Sequence, residues 1–347
     1  MDILVKLSFF IFMLGGLIFC HEAGHFLAAR GLGIQVREFG LGLPPRLLRL
    51  GEWRGTAFTL NWVPLGGFVR PAGEFDPTFV GGLAASPAWK RIVVFAAGPL
   101  SNLLVGYLIL VVAFRLGWPD QLRVAGVRPG SPAAAAGVRA GDLLLRANGA
   151  TIHDARDWTA FAEDNLNQPV RLEIQRGAGV VALSLTPRSD WSSDRRLTGL
   201  DLRPVTLKYP LPAASRRAAE RVALQIHETV MLPIRALRGE LKPGEARLSG
   251  LVGLKQISDK ILENAFRSRT LQPVLNLTAL ISVALGFTNL LPIAALDGGR
   301  LAFALLELLR RRPVNAQREK LVHLVGMAAI LSLMAVLIVQ DVLYPVF

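Results

Sequence analysis

Four long apolar runs stand out along the chain, at roughly residues 3–29, 92–116, 271–296 and 321–343. Each is long enough to cross a bilayer, which needs about 20 helical residues. From Ile3 to Cys20 the only charged side chain is Lys6. A Gly- and Arg-rich stretch, Arg30–Arg91, separates the first two runs, and a short basic loop is expected between the last two. The segment from Pro119 to Arg269 has a different texture. Val170-Arg171-Leu172-Glu173-Ile174 alternates as a half-buried strand, and Trp158 with Phe161 suits a helix. An alanine-rich helix is expected to end at Gly137. Gly141-Asp142 and Asn148-Gly149 mark turns. Thr198–Val205 is expected to close the sheet, and Gln225–Leu241 to form a helix near the membrane surface. The pattern predicts a polytopic α-helical membrane protein of about four transmembrane helices with an inserted α+β domain.

Composition supports the membrane reading: 52% of residues are hydrophobic and the mean hydropathy is +0.40. The net charge of +13 would suggest nucleic acid in a soluble chain. Here the basic residues crowd beside apolar runs, as at Lys90-Arg91 and Arg310-Arg311-Arg312, which reads as topology and contact with the lipid bilayer. No nucleic-acid partner is expected. The arginine-rich loops after the first and third runs belong in the cytoplasm, which places both termini outside. Long loops translocate largely regardless of charge, so the inserted domain is expected on the extracytoplasmic side. Residues 1–30 read as a retained span rather than a signal peptide, since no small-x-small site precedes Cys20. The single cysteine excludes an internal disulfide.

Within the first run lies His21-Glu22-Ala23-Gly24-His25, the H-E-x-x-H pattern. Histidines four apart share a helix face, so His21 and His25 can grip one Zn²⁺, with Glu22 placed as a base toward water. Cys20 lies about 100° around the helix from His21 and is not counted as a ligand. A short motif of this kind can also be a salt-bridged helix surface, but inside a membrane idle ionisable groups are costly. His25 lies near the cytoplasmic end of its span. At matching depth the third run ends in Leu296-Asp297-Gly298-Gly299, whose alternative reading is a simple turn. Two histidines and one carboxylate make the three-ligand set of a catalytic zinc site with a fourth position open. Ala23 and Gly24 are small enough for another span to approach closely. His153, His227 and His323 have no partner at ligand spacing.

These residues resemble the site-2 protease family of intramembrane zinc metalloproteases, in the regulator of sigma-E protease (RseP) branch. Phe39-Gly40-Leu41-Gly42 and Pro64-Leu65-Gly66-Gly67-Phe68-Val69 resemble its membrane re-entrant β-loop. Ala96-Ala97-Gly98-Pro99 with Asn102 resembles the start of its second span, and Asn289-Leu290-Leu291-Pro292 followed by Leu296-Asp297-Gly298-Gly299 resembles its N-x-x-P…L-D-G-G motif. Gly130-Ser131-Pro132-Ala133 through Gly141-Asp142 resembles bacterial PDZ modules. Two departures appear: Ala294 stands where the family has proline, and Leu251 replaces proline in Leu248-Ser249-Gly250-Leu251-Val252-Gly253.

The resemblance implies a zinc metalloendopeptidase with one Zn²⁺ on His21, His25 and Asp297 and with Glu22 catalytic. Its expected role is regulated intramembrane proteolysis of single-span membrane proteins already trimmed outside, such as anti-sigma factors or remnant signal peptides. Asn289 is a candidate for substrate contact or for helix–helix bonding, and Gly66 and Gly67 for a turn or a substrate-receiving strand edge. The implied organisation is a membrane part at 1–118, a PDZ-like domain at 119–188 that could bind peptide C-termini, an extracytoplasmic linker at 189–270 and a second membrane part at 271–347. The implied location is a bacterial inner membrane, with the site toward the cytoplasm. Competing classes are a membrane-anchored PDZ adaptor with structural zinc and a metal transporter. The second would spread ionisable residues along several spans.

Overall fold

The computed structural model describes residues 2–152, 154–190, 197–240 and 249–345, so His153 and Leu248 lie outside the described residues. In chain order the elements begin with α1 (Ile3–Gly31), β1 (Val36–Trp53), β2 (Thr56–Pro71) and α2 (Ala88–Leu116). There follow β3 (Trp118–Val127), α3 (Pro132–Ala135), β4 (Leu143–Ala147), β5 (Ala150–Thr151), α4 (Ala155–Asp164), β6 (Val170–Arg176), β7 (Gly179–Leu185) and β8 (Leu200–Leu207). The chain closes with α5 (Leu211–Leu237), α6 (Leu251–Ser268), α7 (Gln272–Leu290), α8 (Asp297–Arg310) and α9 (Ala316–Leu343). Contacts divide it into two compact units, Val112–Ala214 and the remainder.

In the helical unit, α1, α2, α7 and α9 are long and apolar enough to cross a membrane, matching the four apolar runs. Their junctions differ from expectation in three places. The third helix stops at Leu290 rather than near residue 296. Pro292 disfavours helical backbone at the residue before it, and Leu291 is extended at φ −64°, ψ 142°. The expected basic loop is instead largely α8, in which Gly298, Gly299, Ala304 and Glu307 are buried. Its arginines lie mostly at its C-terminal end, where Arg311 adopts the left-handed conformation (φ 52°) that ends a helix. The helix expected at Gln225–Leu241 starts earlier, at Leu211, and a further helix, α6, follows it. The α6 pattern is one-sided rather than continuously apolar: Leu251, Leu254, Ile257 and Ile261 pack against Phe10, Leu14 and Leu17 of α1 and Leu277 and Ile281 of α7. Lys6, the one charge between Ile3 and Cys20, pairs with Glu263 of α6.

Strands β1 and β2 fold back on each other. Arg54 (φ 50°) and Gly55 (φ 79°) make the two-residue turn between them, the all-positive-φ geometry of a type I′ hairpin. Residues 38–41 then lie between residues 57–60 on one side and residues 67–70 on the other. Buried Glu38 ties these segments together, accepting from Thr59 Oγ1 at 2.9 Å and pairing with Arg46 and Arg70 at 3.0 Å each.

The second unit is a sheet of order β7-β6-β4-β3-β8 with β5 attached to β4. The alternation read at Val170–Ile174 is realised: Val170, Leu172 and Ile174 are fully buried against Leu122, Leu144 and Trp158. Asn148 (φ 47°) and Gly149 (φ 82°) form the expected hairpin turn. The strand anticipated near Thr198–Val205 is β8, paired antiparallel with β3. Asp142, almost wholly buried, accepts from Arg176 Nε at 2.8 Å, Arg176 Nη2 at 2.7 Å and the Arg139 amide at 2.8 Å.

Candidate metal centre

One helix face and one helix start build the site. His21 and His25 stack edge to face along α1, ring centroids 4.8 Å apart, and Asp297 opens α8. The chain break forced by Pro292 matters here, because it turns Asp297 back toward α1. Asp297 Oδ2 lies 2.9 Å from His21 Nε2 and 3.2 Å from His25 Nε2, and the two Nε2 atoms are 3.2 Å apart. These residues, far apart in sequence, form the one group among the described residues that could hold a metal through three such side chains. Donors around tetrahedral zinc, at about 2.0–2.2 Å from the ion, are roughly 3.3 Å from each other. The donor triangle fits that ion.

The far side of each ring is also held. His25 Nδ1 donates to the Val94 carbonyl at 2.7 Å, leaving the Nε2 lone pair for the cluster. His21 Nδ1 lies 3.3 Å from Nδ2 of the Asn102 side-chain amide, whose Oδ1 has no partner. With Nε2 turned to a metal, Nδ1 carries the proton, and rotating the amide by about 180° presents Oδ1 to it as acceptor. Asn102 is completely buried, and its own carbonyl accepts from Ser282 of α7 at 2.7 Å. In the sequence it stood only as part of the motif that opens the second span. The signal that could have revealed more was a polar amide inside an apolar span just after Gly98-Pro99. Gly98 itself allows the close crossing, since a Cβ there would sit 2.2 Å from His25 Nε2. Gly24 plays the same part on α1, where a Cβ would meet the Ala97 carbonyl at 2.5 Å.

The cluster opens into a cavity of about 630 Å³. Glu22 lies on its wall, together with Gly67–Pro71 of β2, Asn289 and Arg300. Residues 67–70 pair on one side with residues 38–41, and among the described residues no second strand pairs with their other edge. A Cβ on Gly67 would come within 3.0 Å of Glu22 Cγ, so this strand passes directly over the glutamate. Gly66 (φ 125°) faces Leu43 instead and does not line the cavity. The Asn289 amide donates to Leu285 of its own helix at 3.0 Å. Arg300 pairs with Glu74 at 2.6 Å on the cavity rim. Of the remaining histidines, His227 is exposed beside Glu228, and His323 binds the Ala295 amide at 3.0 Å.

These features define a polytopic helical membrane protein with a His-His-carboxylate cluster beside a glutamate. The model of peptidase family M50 matches residues 9–333. A Clostridium perfringens protein named "Putative zinc metalloprotease CPE1693" is 31% identical, with 97% of this chain and 98% of the relative aligned. A Bartonella henselae protein, "Putative zinc metalloprotease BH06270", is 29% identical over 94% of this chain and 98% of its own length. The regulator of sigma-W protease RasP of Bacillus subtilis is 26% identical over 96% and 97% of the two chains. The chain belongs to peptidase family M50, the site-2 proteases. It is a zinc metalloprotease and an integral membrane protein.

Proposed function

We propose that this protease cleaves single-span membrane proteins within the bilayer, using His21, His25 and Asp297 as zinc ligands and Glu22 as general base. The observation that carries the reading is the convergence of three donors on one point, with Glu22 on the wall of the cavity they open into. A zinc ion held there supplies Lewis acidity toward a peptide carbonyl and makes water easier to deprotonate. Glu22 accepts the proton of the attacking water and returns it to the leaving amine nitrogen. The one-sided edge at residues 67–70 holds the substrate extended through backbone pairing, and Gly67 keeps that edge close to Glu22. Asn289, on the same cavity, is available to a substrate carbonyl if it releases Leu285. An unwound segment is needed because a helix shields its own peptide bonds in intrahelical hydrogen bonds.

The similarity to a regulator of sigma-W protease supports anti-sigma-factor-like substrates, or remnant signal peptides, trimmed beforehand on the outer side. The PDZ-like domain assigned to 119–188 falls within the Val112–Ala214 unit, outside the cytoplasm of a bacterial inner membrane. A cleft of about 360 Å³ in that unit, lined by Trp158 of the 119–188 segment and by Thr198, Leu200 and Leu202 beyond it, suits a newly made peptide C-terminus added beside β8. The metal site faces the cytoplasm. The adaptor alternative would fill a structural zinc site with a fourth protein ligand, whereas the cluster among the described residues has three. Glu22→Gln decides between them. Zinc should remain stoichiometric while cleavage of a model single-span substrate falls by about 10²–10⁴-fold; undiminished cleavage would rule out the mechanism.

A further inference from the structure

We propose that His323 of α9 is a positioning residue for Asp297, acting through the turn that delivers α8 to the metal cluster. The inference rests on the reading of Asp297 as a zinc ligand. After Pro292 the chain makes a tight turn in which the Leu296 amide bonds to the Ile293 carbonyl at 3.2 Å. Ala295 has φ 77°, while Ala294 is not among the residues with positive φ. That combination is a type II turn, which favours proline at its first central position and glycine or asparagine at its second. This chain has alanine at both. Ala294 lacks the ring that would preset φ, and Ala295 carries a Cβ in the left-handed region, which L residues disfavour. The turn therefore has little local reason to hold its shape.

The support comes from α9. The Ala295 amide is not used inside a type II turn, and here it donates to His323 Nδ1 at 3.0 Å. His323 is buried (7% exposed), and its ring packs edge to face on Phe303 of α8, centroids 5.9 Å apart. One side chain thus touches both the turn before Asp297 and the helix after it. Three residues further along α9, a Cβ on Gly326 would lie 2.5 Å from that of Ala294, so α9 lies directly against the turn. The acceptor must be an unprotonated Nδ1 at this position. Asparagine places its Oδ1 in a similar position, whereas leucine keeps apolar bulk without an acceptor.

The test compares full-length His323→Leu and His323→Asn, together with Ala295→Gly introduced into His323→Leu. Zinc affinity is measured by chelator competition, thermal unfolding is followed in parallel, and hydrogen exchange is read at the Ala295 amide. His323→Leu should weaken zinc binding by about 10–100-fold, speed exchange at Ala295 and leave the unfolding temperature nearly unchanged. His323→Asn should restore both readouts. Ala295→Gly should recover zinc affinity without an acceptor, because glycine accepts the left-handed backbone unaided. Wild-type zinc affinity in His323→Leu overturns the proposal, as does a failure of both rescues. Asp297→Asn run alongside separates the two levels. If it keeps zinc, the ligand assignment itself falls and the role of the turn falls with it. If it loses zinc while His323→Leu does not, only the positioning role is lost.

Discussion

The two compact units place the same kinds of side chain in opposite ways. In Val112–Ala214 the sheet buries Leu122, Val170, Leu172 and Ile174 completely, and the charged residues alternating with them point outward. In the helical unit large apolar side chains point outward, with Phe12 and Leu309 each 81% exposed, while His21, Asn102, Ser282, His323 and Asp341 are buried. The extreme is α9, of whose most apolar window only 6% is buried within the protein. Water and lipid account for the contrast. A leucine gains from leaving water, but lipid tails are as apolar as another leucine, so association of spans relies on close packing and on polar contacts. Removing those polar groups from water is costly unless each finds a partner; those of His21, Asn102, Ser282 and His323 lie in and around one site, while Asp341 accepts from the Gly253 amide of α6.

The strongest way to test that contrast is at its most polar point. Asp297→Asn should lower zinc affinity by more than the roughly 10–100-fold typical of outer-shell partners, and cleavage should disappear with the metal; elemental analysis of the purified variant checks it. Next comes the outward surface. Leu331→Arg in α9 should cost about 2.5–3.5 kcal/mol in membrane insertion, read by glycosylation-type insertion assays. Val180→Arg, on a side chain 66% exposed in the sheet unit, should stay within about 0.5 kcal/mol. Equal costs at the two positions would erase the distinction between the two solvents. A smaller effect is expected at Asn102→Leu, with zinc affinity reduced about 10–100-fold because His21 loses the acceptor that fixes its tautomer.

The smallest effect concerns pH in the sheet unit. The hydrogen bonds and charge of Arg176, joined by the Arg139 amide, hold the Asp142 carboxyl below its ordinary range, against its burial. A depressed folded-state pKa contributes stability that is complete above the unfolded carboxyl value of about 3.9. That contribution is lost as pH falls through the lower folded value. Hydrogen-exchange protection in β4 and β6 of the intact protein, taken relative to the intrinsic exchange rate at each pH, should therefore fall on acidification below about pH 3.9. Asp142→Asn should flatten that response.

Much of this arrangement was legible in particular residues. The apolar runs were long enough to identify all four spans, although the third run continues past Pro292, where the helix ends at Leu290. Period-two alternation marked β6, and Asn148-Gly149 marked its neighbouring hairpin. Helices α6 and α8 escaped because their apolar positions are interrupted by polar ones: α6 packs through Leu251, Leu254, Ile257 and Ile261 at helical spacing, and α8 buries small residues and Glu307, neither of which makes a continuous hydrophobic run. The arginines around α8 resembled a loop, since charge clusters report exposure better than they report conformation.

His21, Glu22 and His25 come together through helix periodicity alone, so the sequence by itself determined half of the candidate site. Charge distribution also pointed to Asp297, although only as a residue at similar membrane depth. Tertiary structure decided the rest: that Asp297 begins a new helix, that Asn102 lies behind His21, and that His323 holds the turn in between. These are contacts between residues 81 and 28 positions apart whose partners leave no periodic trace. Their geometry depends on how α1, α2, α8 and α9 pack, and small residues such as Gly98 and Gly326 set the distances at which those helices can meet.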